Sequence, residues 1–218
     1  MNFIIKCLRY LFFAIFVRFI IFVLIGAKVR NREKLPKEGP AVIVANHNSH
    51  LDTLMLVSLF KLKLLDKIHP VAAADYFMRT GFFTWFSKKI IGIIPINRQR
   101  KTKKENPLIP CYQALDNNEI LILFPEGTRG DPEKMSEFKK GISFIAERYP
   151  HVPITSVFMY GLGKALPKGK RLLVPFACDV LVGDSIYWQG DRTQFMNQLN
   201  KEYEILSAEI SKPDFNTF

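Results

Sequence analysis

A strand and the start of a helix meet within residues 41–56, AVIVANHNSHLDTLML. The apolar run 41–45 predicts a short buried strand, and the spacing of apolar residues after it predicts a helix over 50–61. Asn46 and His47 follow the strand, and Asp52 stands five residues after His47. Imidazole takes up a proton near neutral pH, and a carboxylate against its other ring nitrogen fixes its tautomer. If the loop folds Asp52 back onto His47, we expect the pair to activate a hydroxyl group.

Two alternatives apply to the same residues. Ser49 and Asp52 have the spacing of a capping box with Ser49 as the N-cap, so Asp52 could simply start the helix. This role is compatible with the catalytic one. His47, His50 and Asp52 could instead bind a metal ion, but the sequence contains no second cluster of ligands elsewhere.

Strands and helices alternate along the rest of the chain. Strand-like apolar runs occur at 41–45, 69–73, 93–97, 119–124, 152–158 and 172–182. Helix-like stretches occur at 50–61, 77–90, 107–117, 136–148 and 191–210. This alternation predicts an α/β fold with a mostly parallel sheet flanked by helices.

Three of these runs end in residues suited to polar chemistry. They are Asn46 with His47, Asn97 with Arg98, and the segment 125–129. In open α/β sheets, ligands bind outside the carboxyl ends of the strands. If the three strands are parallel neighbours, the base and two arginines converge on one cleft suited to an anionic substrate.

The segment 124–129, FPEGTR, predicts a turn after a strand. Gly127 can adopt a positive φ and let backbone N–H groups approach an anion, and Thr128 offers a hydroxyl. Arg129 can hold a phosphate through two parallel hydrogen bonds. Glu126 cannot bind phosphate itself, and we expect it to hold an arginine in place or to accept a hydrogen bond from a substrate hydroxyl. Pro-x-Gly after a strand is usually only a turn, so this chemistry does not establish a phosphate site by itself.

Residues 3–27 are almost wholly apolar and are interrupted only by Lys6, Arg9 and Arg18. No signal-peptide cleavage site follows, so we expect the segment to be retained. From Tyr10 onward it approaches the length of a bilayer span, but at about 100° per residue Arg18 is expected nearly opposite Lys6 and Arg9. A tilted span and two short helices lying in the interface would both serve. We divide the chain into a membrane-binding helical segment, 1–34, and a catalytic domain, 35–218.

Basic residues follow this segment, within 28–37. If the segment spans, they place the domain on the cytoplasmic face of the membrane; if it lies flat, they meet anionic lipid headgroups. The whole chain of 218 residues carries a net charge of +11 but no zinc-finger, RRM or helix-turn-helix signature, so no nucleic-acid partner is expected. Three scattered cysteines without CxxC spacing fit a reducing compartment.

Together, these motifs resemble those of the glycerolipid acyltransferase family. The resemblance rests on His47-x4-Asp52 with Asn46 and Ser49, on GIIPINR at 92–98, on FPEGTR at 124–129 and more loosely on Val-Pro-Ile at 152–154. The motifs stand in the family's order and cover roughly residues 38–186. Near the end of this region the chain has GDSI at 183–186, where family members often carry Gly-(Glu/Lys)-Pro-Ile.

The resemblance implies a membrane-associated enzyme of phospholipid synthesis. It would move a fatty acyl group from acyl-CoA or acyl carrier protein to the 2-hydroxyl of 1-acylglycerol 3-phosphate, forming phosphatidic acid, with no metal or bound cofactor. The implied site comprises His47 as general base, Asp52 as its orienting partner, and a phosphate pocket of Arg98, Glu126, Gly127, Thr128 and Arg129. No G-x-S-x-G nucleophile elbow supports an acyl-enzyme route. The alternatives are transfer to another lysolipid, such as a lyso-ornithine lipid, and a non-catalytic lipid-binding protein.

Overall fold

The computed structural model of the chain describes residues 2–77, 81–97, 106–128, 130, 136–165 and 178–210. The helices are α1 (Phe3–Leu24), α2 (Asp52–Ser58), α3 (Ala74–Phe77), α4 (Gly81–Phe86, continued by Ser87–Ile91), α5 (Ile109–Asp116), α6 (Gly141–Arg148), α7 (Leu162–Ala165) and α8 (Arg192–Ile210). Short 3-10 helices occur at Arg32–Lys34 and Leu62–Lys67. The strands are β1 (Lys28–Arg30), β2 (Ala41–Ala45), β3 (Ile68–Ala73), β4 (Ile94–Ile96), β5 (Ile120–Leu123), β6 (Ile154–Tyr160) and β7 (Asp179–Ile186).

The seven described strands form one sheet in the order β1-β7-β6-β2-β5-β3-β4. Neighbouring strands are parallel except for β6 and β7, which are antiparallel. The predicted α/β fold with a mostly parallel, helix-flanked sheet is therefore confirmed.

Strand β2 covers residues 41–45, as the sequence predicts, and all five are buried. Ala41, Ile43 and Ala45 point into the core shared with α1 and α2. Val42 and Val44 point into the core on the opposite face, with α5, α6 and α8. Because both faces are covered, β2 is apolar throughout instead of alternating with polar residues.

The structure differs from the predicted strands at β1 and β7, which are neighbours on one side of the sheet. The strand predicted over 172–182 falls partly outside the described residues, and β7 covers Asp179–Ile186. Residues 28–30, assigned by the sequence to the membrane-binding segment, form β1 and pair with residues 179–181. The division into 1–34 and 35–218 remains a prediction, but the first part supplies a strand to the sheet of the second.

Helix α1 is long and apolar enough to cross a membrane, judged by length and composition alone. One of its sides is packed into the domain, where Phe13, Val17 and Ile21 are fully buried and Ile25 continues the row. The opposite side exposes large apolar side chains, namely Phe3, Ile4, Leu8, Tyr10, Leu11, Ile15, Phe16, Phe19, Val23 and Leu24. The helix is therefore part of the folded domain on one side and presents an apolar surface on the other.

All three basic residues of α1 face the domain. Lys6 pairs with Asp66 at 2.8 Å, Arg9 donates to the carbonyls of Ile68 and Ile91, and Arg18 donates to the Phe60 carbonyl at 3.1 Å. The prediction that Arg18 lies opposite the other two is wrong. Nine residues of regular α-helix make two and a half turns, which would place Arg18 opposite Arg9, but the i→i−5 turns over Phe12–Val17 lie between the two residues. These wider turns rotate the chain less per residue and return Arg18 to the face of Arg9.

Candidate active site

Asn46 fixes the point at which the chain leaves strand β2. Its side chain is buried and makes two hydrogen bonds to the backbone of Met159 on the neighbouring strand β6, donating from Nδ2 and accepting at Oδ1, both at 2.8 Å. These two bonds continue the pairing of β2 with β6 by one residue past the end of β2, with a side chain in place of the backbone. The position of His47 is therefore set at the carboxyl end of β2, where Asn46 is bonded to β6.

His47 and Asp52 are in direct contact. Asp52 is the first residue of α2, and its Oδ2 lies 2.9 Å from His47 Nδ1. The same oxygen accepts hydrogen bonds from the backbone N–H groups of Asn48 at 2.7 Å and Ser49 at 2.8 Å. Because an ionised carboxylate only accepts, the proton of a neutral His47 must be on Nδ1, which leaves the Nε2 lone pair free to take a proton.

The structural role considered for Asp52 is present as well. Its carboxylate reaches back to the Ser49 N–H, as in a capping box, while the Ser49 hydroxyl accepts from Leu51 N at 3.3 Å. The helix accordingly begins at Asp52, two residues later than the sequence predicts. One carboxylate thus orients the imidazole and caps the helix.

Phe124 holds the plane of the imidazole. Its ring stacks on His47 with a centroid distance of 4.0 Å and an angle of 19°. His47 keeps 19% of its side chain exposed, whereas Asp52 is buried. The base is therefore constrained by a carboxylate at one nitrogen and a ring on one face, and it remains accessible from outside.

The turn after β5, residues 124–128 (the β5 turn), lies against His47 because β5 pairs with β2. Gly127 has φ +73°, the conformation predicted for it, and its N–H bonds the Phe124 carbonyl at 3.0 Å. Beyond the turn, Gly130 N donates to the His47 carbonyl at 3.0 Å. The structure thus brings the His47–Asp52 pair and the β5 turn together at the carboxyl ends of two neighbouring parallel strands.

Glu126 accepts hydrogen bonds from the backbone of His47 and of Ser136. It is 2% exposed, and its Oε1 accepts from His47 N at 2.8 Å while Oε2 accepts from Ser136 N at 3.0 Å. Burial raises the pKa of Glu126, and the two N–H donors oppose that rise. Sequence reasoning missed this contact because it joins residues 79 positions apart, and no local pattern indicates it.

The other predicted phosphate-binding residues have different outcomes. Thr128 is exposed on the β5 turn. Arg98 and Arg129 lie outside the described residues. Arg98 follows β4, which is not a neighbour of β2 or β5, because β3 separates β4 from β5. At about 4.8 Å between strands, the end of β4 is roughly 14 Å from that of β2, so the condition that all three strands are neighbours is met for β2 and β5 but not for β4.

His, Cys, Asp and Glu side chains do not form a group of three or more with metal-binding geometry anywhere in the described part of the chain. The arrangement that is present can remove a proton from a hydroxyl at His47 Nε2. Beside it, the exposed Thr128 of the β5 turn offers a hydroxyl group.

The chain is similar in sequence to known acyltransferases. A family model described as acyltransferase matches residues 26–160. The chain is 28% identical over 148 residues to a chloroplastic 1-acyl-sn-glycerol-3-phosphate acyltransferase of Arabidopsis thaliana, covering 66% of this chain and 38% of the relative. It is 32% identical over 141 residues to the Helicobacter pylori protein of the same name, covering 56% and 52%. The chain thus spans about half or less of the length of these two relatives.

The fold has a counterpart among solved structures. The crystal structure of the 1-acyl-sn-glycerophosphate acyltransferase PlsC from Thermotoga maritima superimposes with a TM-score of 0.69, covering 98% of this chain and all of the other at 19% identity. At that identity the match concerns the fold. The family model covers more than half of the chain, including both the His47–Asp52 pair and the β5 turn, and the chain therefore belongs to the acyltransferase family.

Proposed function

We propose that this chain transfers a fatty acyl group from acyl-CoA or acyl carrier protein to the 2-hydroxyl of 1-acylglycerol 3-phosphate. The observation that carries the proposal is the contact of His47 Nδ1 with Asp52 Oδ2, which leaves Nε2 of a partly exposed imidazole to act as a base. Family membership supports the reaction class, and the names of the relatives support this acceptor.

The reaction needs one base and no covalent enzyme intermediate, since a thioester is already activated. His47 Nε2 takes the proton of the acceptor hydroxyl as its oxygen attacks the thioester carbonyl. When the tetrahedral intermediate collapses, the C–S bond breaks, and the imidazolium returns the proton to the departing thiolate. Asp52 stabilises the imidazolium between these steps.

The phosphate of the acceptor would lie against the β5 turn. In 1-acylglycerol 3-phosphate one carbon separates the carbon that bears the reacting hydroxyl from the phosphate ester oxygen, so a hydroxyl at His47 places the phosphate nearby. Gly127 and Thr128 are next to that position, and Arg129 follows them in the chain. Arg98 and Arg129 stay in this proposal as phosphate-binding residues, and Glu126 instead positions His47 through its backbone.

An apolar surface formed by α1 and α4 supports an enzyme that works on membrane lipids. The exposed side of α1 continues into α4, where Phe12 meets Phe86 edge to face at 5.3 Å and Phe82 and Trp85 are exposed. A continuous apolar surface of this kind is typical of membrane contact. The surface lies in the bilayer in this proposal, with the catalytic domain on the cytoplasmic face.

A matrix of donors and acceptors tests the proposal. Purified protein in vesicles receives acyl-CoA or acyl carrier protein, together with 1-acylglycerol 3-phosphate, a second lysophospholipid, a lyso-ornithine lipid or a monoacylglycerol. We expect the highest kcat/KM with 1-acylglycerol 3-phosphate. Preference for another acceptor would favour an acyltransferase that acts on that lipid. Membrane binding without turnover of any acceptor would favour a non-catalytic lipid-binding protein.

Arginine variants extend the test to the phosphate. Arg129→Lys keeps the charge but loses the planar fork, so we expect acceptor use to weaken while the donor KM stays largely unchanged. Arg98→Ala and Arg129→Ala should cost about 2–5 kcal/mol if each pairs with a desolvated phosphate. Equal losses for phosphate-bearing and phosphate-free acceptors would assign these arginines to the donor or to the fold.

A further inference from the structure

The side chain of Lys139 lies across Gly127 in the β5 turn. A Cβ at Gly127 would be 2.9 Å from Lys139 Nζ, 3.1 Å from Cδ and 3.2 Å from Cε. Gly127 also has φ +73°. A glycine is therefore needed here for two reasons. Residues with a Cβ rarely adopt this positive φ, and Lys139 fills the space that a side chain would take.

The backbone around Lys139 is fixed. Lys139 N donates to the Pro125 carbonyl at 2.9 Å. The preceding residue, Phe138, is buried and meets the ring of Tyr203 edge to face at 4.8 Å. The lysine thus emerges from an anchored segment directly beside the turn that bonds the His47 backbone through Glu126.

The charge of Lys139 has no carboxylate partner within the described residues. The ion pairs of that part of the chain are Lys6–Asp66, Lys34–Asp184, His47–Asp52, His69–Glu119 and Arg192–Glu147. The carboxylate of the β5 turn, Glu126, already accepts hydrogen bonds from two backbone N–H groups. An ammonium with three donors therefore lies against the β5 turn, and no carboxylate of the described residues pairs with it.

We propose that Lys139 binds a substrate phosphate over the β5 turn. The inference rests on the proposed function, because a hydroxyl delivered to His47 brings the acceptor's phosphate to this turn. Lysine binds phosphate as a point charge, so it supplements arginine at such a site without needing a fixed geometry. The same chemistry would suit a phosphate of acyl-CoA, and the kinetic arms below separate the two sources.

Lys140 provides a matched control. It carries the same charge one residue later, its side chain is exposed, and its carbonyl accepts from Ser143 N at 3.1 Å and from the Ser143 hydroxyl at 2.8 Å at the start of α6. Replacing either lysine by methionine removes one charge and keeps the backbone bonds. The three atoms nearest to a Cβ at Gly127 all belong to Lys139.

The test compares Lys139→Met, Lys139→Arg and Lys140→Met in the full chain in vesicles. We expect Lys139→Met to raise the acceptor KM about tenfold, the size of one hydrogen bond to a charged group, with kcat and the acyl-CoA KM little changed. Lys139→Arg should recover most of this loss, and Lys140→Met should stay within about twofold of the native protein. A rise in the acyl-CoA KM in place of the acceptor KM would assign the phosphate to the donor. Equal KM values in the two methionine variants would overturn the proposal.

A binding measurement keeps this inference separate from the proposed function. Glycerol 3-phosphate, which has the phosphate but no acyl chain, should raise the melting temperature of the detergent-solubilised native protein and of Lys140→Met, but raise it less in Lys139→Met. Equal stabilisation of all three would overturn the role of Lys139 even if the native protein acylates 1-acylglycerol 3-phosphate. Conversely, a native protein that shows the lysine-dependent shift without turnover would overturn the proposed function alone.

Discussion

Replacing Glu126 by glutamine separates two roles for this residue. The carboxylate accepts from His47 N at 2.8 Å and from Ser136 N at 3.0 Å, in a site that is 2% exposed. Glutamine supplies one oxygen, so its amide nitrogen must face one of the two N–H donors. The variant then loses a hydrogen bond to a charged group and leaves a buried donor unpaired, at a cost of about 1.5–3 kcal/mol.

The kinetic consequence follows from that free energy. If all of it is expressed in the orientation of His47, kcat falls roughly 10- to 150-fold while the acceptor KM changes little. Steady-state kinetics with both substrates and urea unfolding in detergent measure the two effects. Glu137→Gln is the matched control. Glu137 is exposed and follows Ser136 in the chain, so its replacement should change neither kcat nor stability appreciably. A higher acceptor KM at unchanged kcat would refute the positioning role and restore the substrate contact that the sequence suggested.

Four further perturbations have definite outcomes. His47→Ala should reduce kcat about 10²–10⁴-fold with membrane binding intact, and retention of a tenth of the native activity in a vesicle assay would contradict the general-base role. Asp52→Asn should lose comparable activity and also stability, because its Oδ2 serves three donors; an unfolding midpoint equal to that of the native protein would be unexpected. Arg18→Met should lower the free energy of unfolding by about 1.5–3 kcal/mol through loss of its bond to the Phe60 carbonyl, and an unchanged urea midpoint would exclude that contribution. Burial raises the pKa of Glu126, so the unfolded chain releases this proton first as pH rises. The stability of the native protein relative to Glu126→Gln should therefore fall between the ordinary glutamic acid pKa and the raised one, and a pH-independent difference would contradict this.

The local sequence pattern was sufficient to predict a strand that is buried on both faces and contacts between residues that are close in the chain. Strand β2 could be predicted to the residue because five apolar residues stand between Pro40 and the polar Asn46. The contact of His47 with Asp52 could be anticipated because the two residues lie within one loop and helix turn. The same holds for Gly127, whose positive φ follows from the turn it occupies.

Long-range contacts account for the rest. Hydropathy locates α1, but a periodicity of 100° per residue cannot reveal the wider turns over Phe12–Val17 that bring Arg18 onto the domain. Strand-like runs carry no information about their neighbours, so the placement of β4 beyond β3 depends on how the whole sheet assembles. Glu126 can bond His47 N only because β5 pairs with β2, which brings positions 79 apart in the chain within hydrogen-bond distance. The sequence alone thus identifies which residues can do the chemistry. Which residue each of them contacts depends on the order and register of the strands.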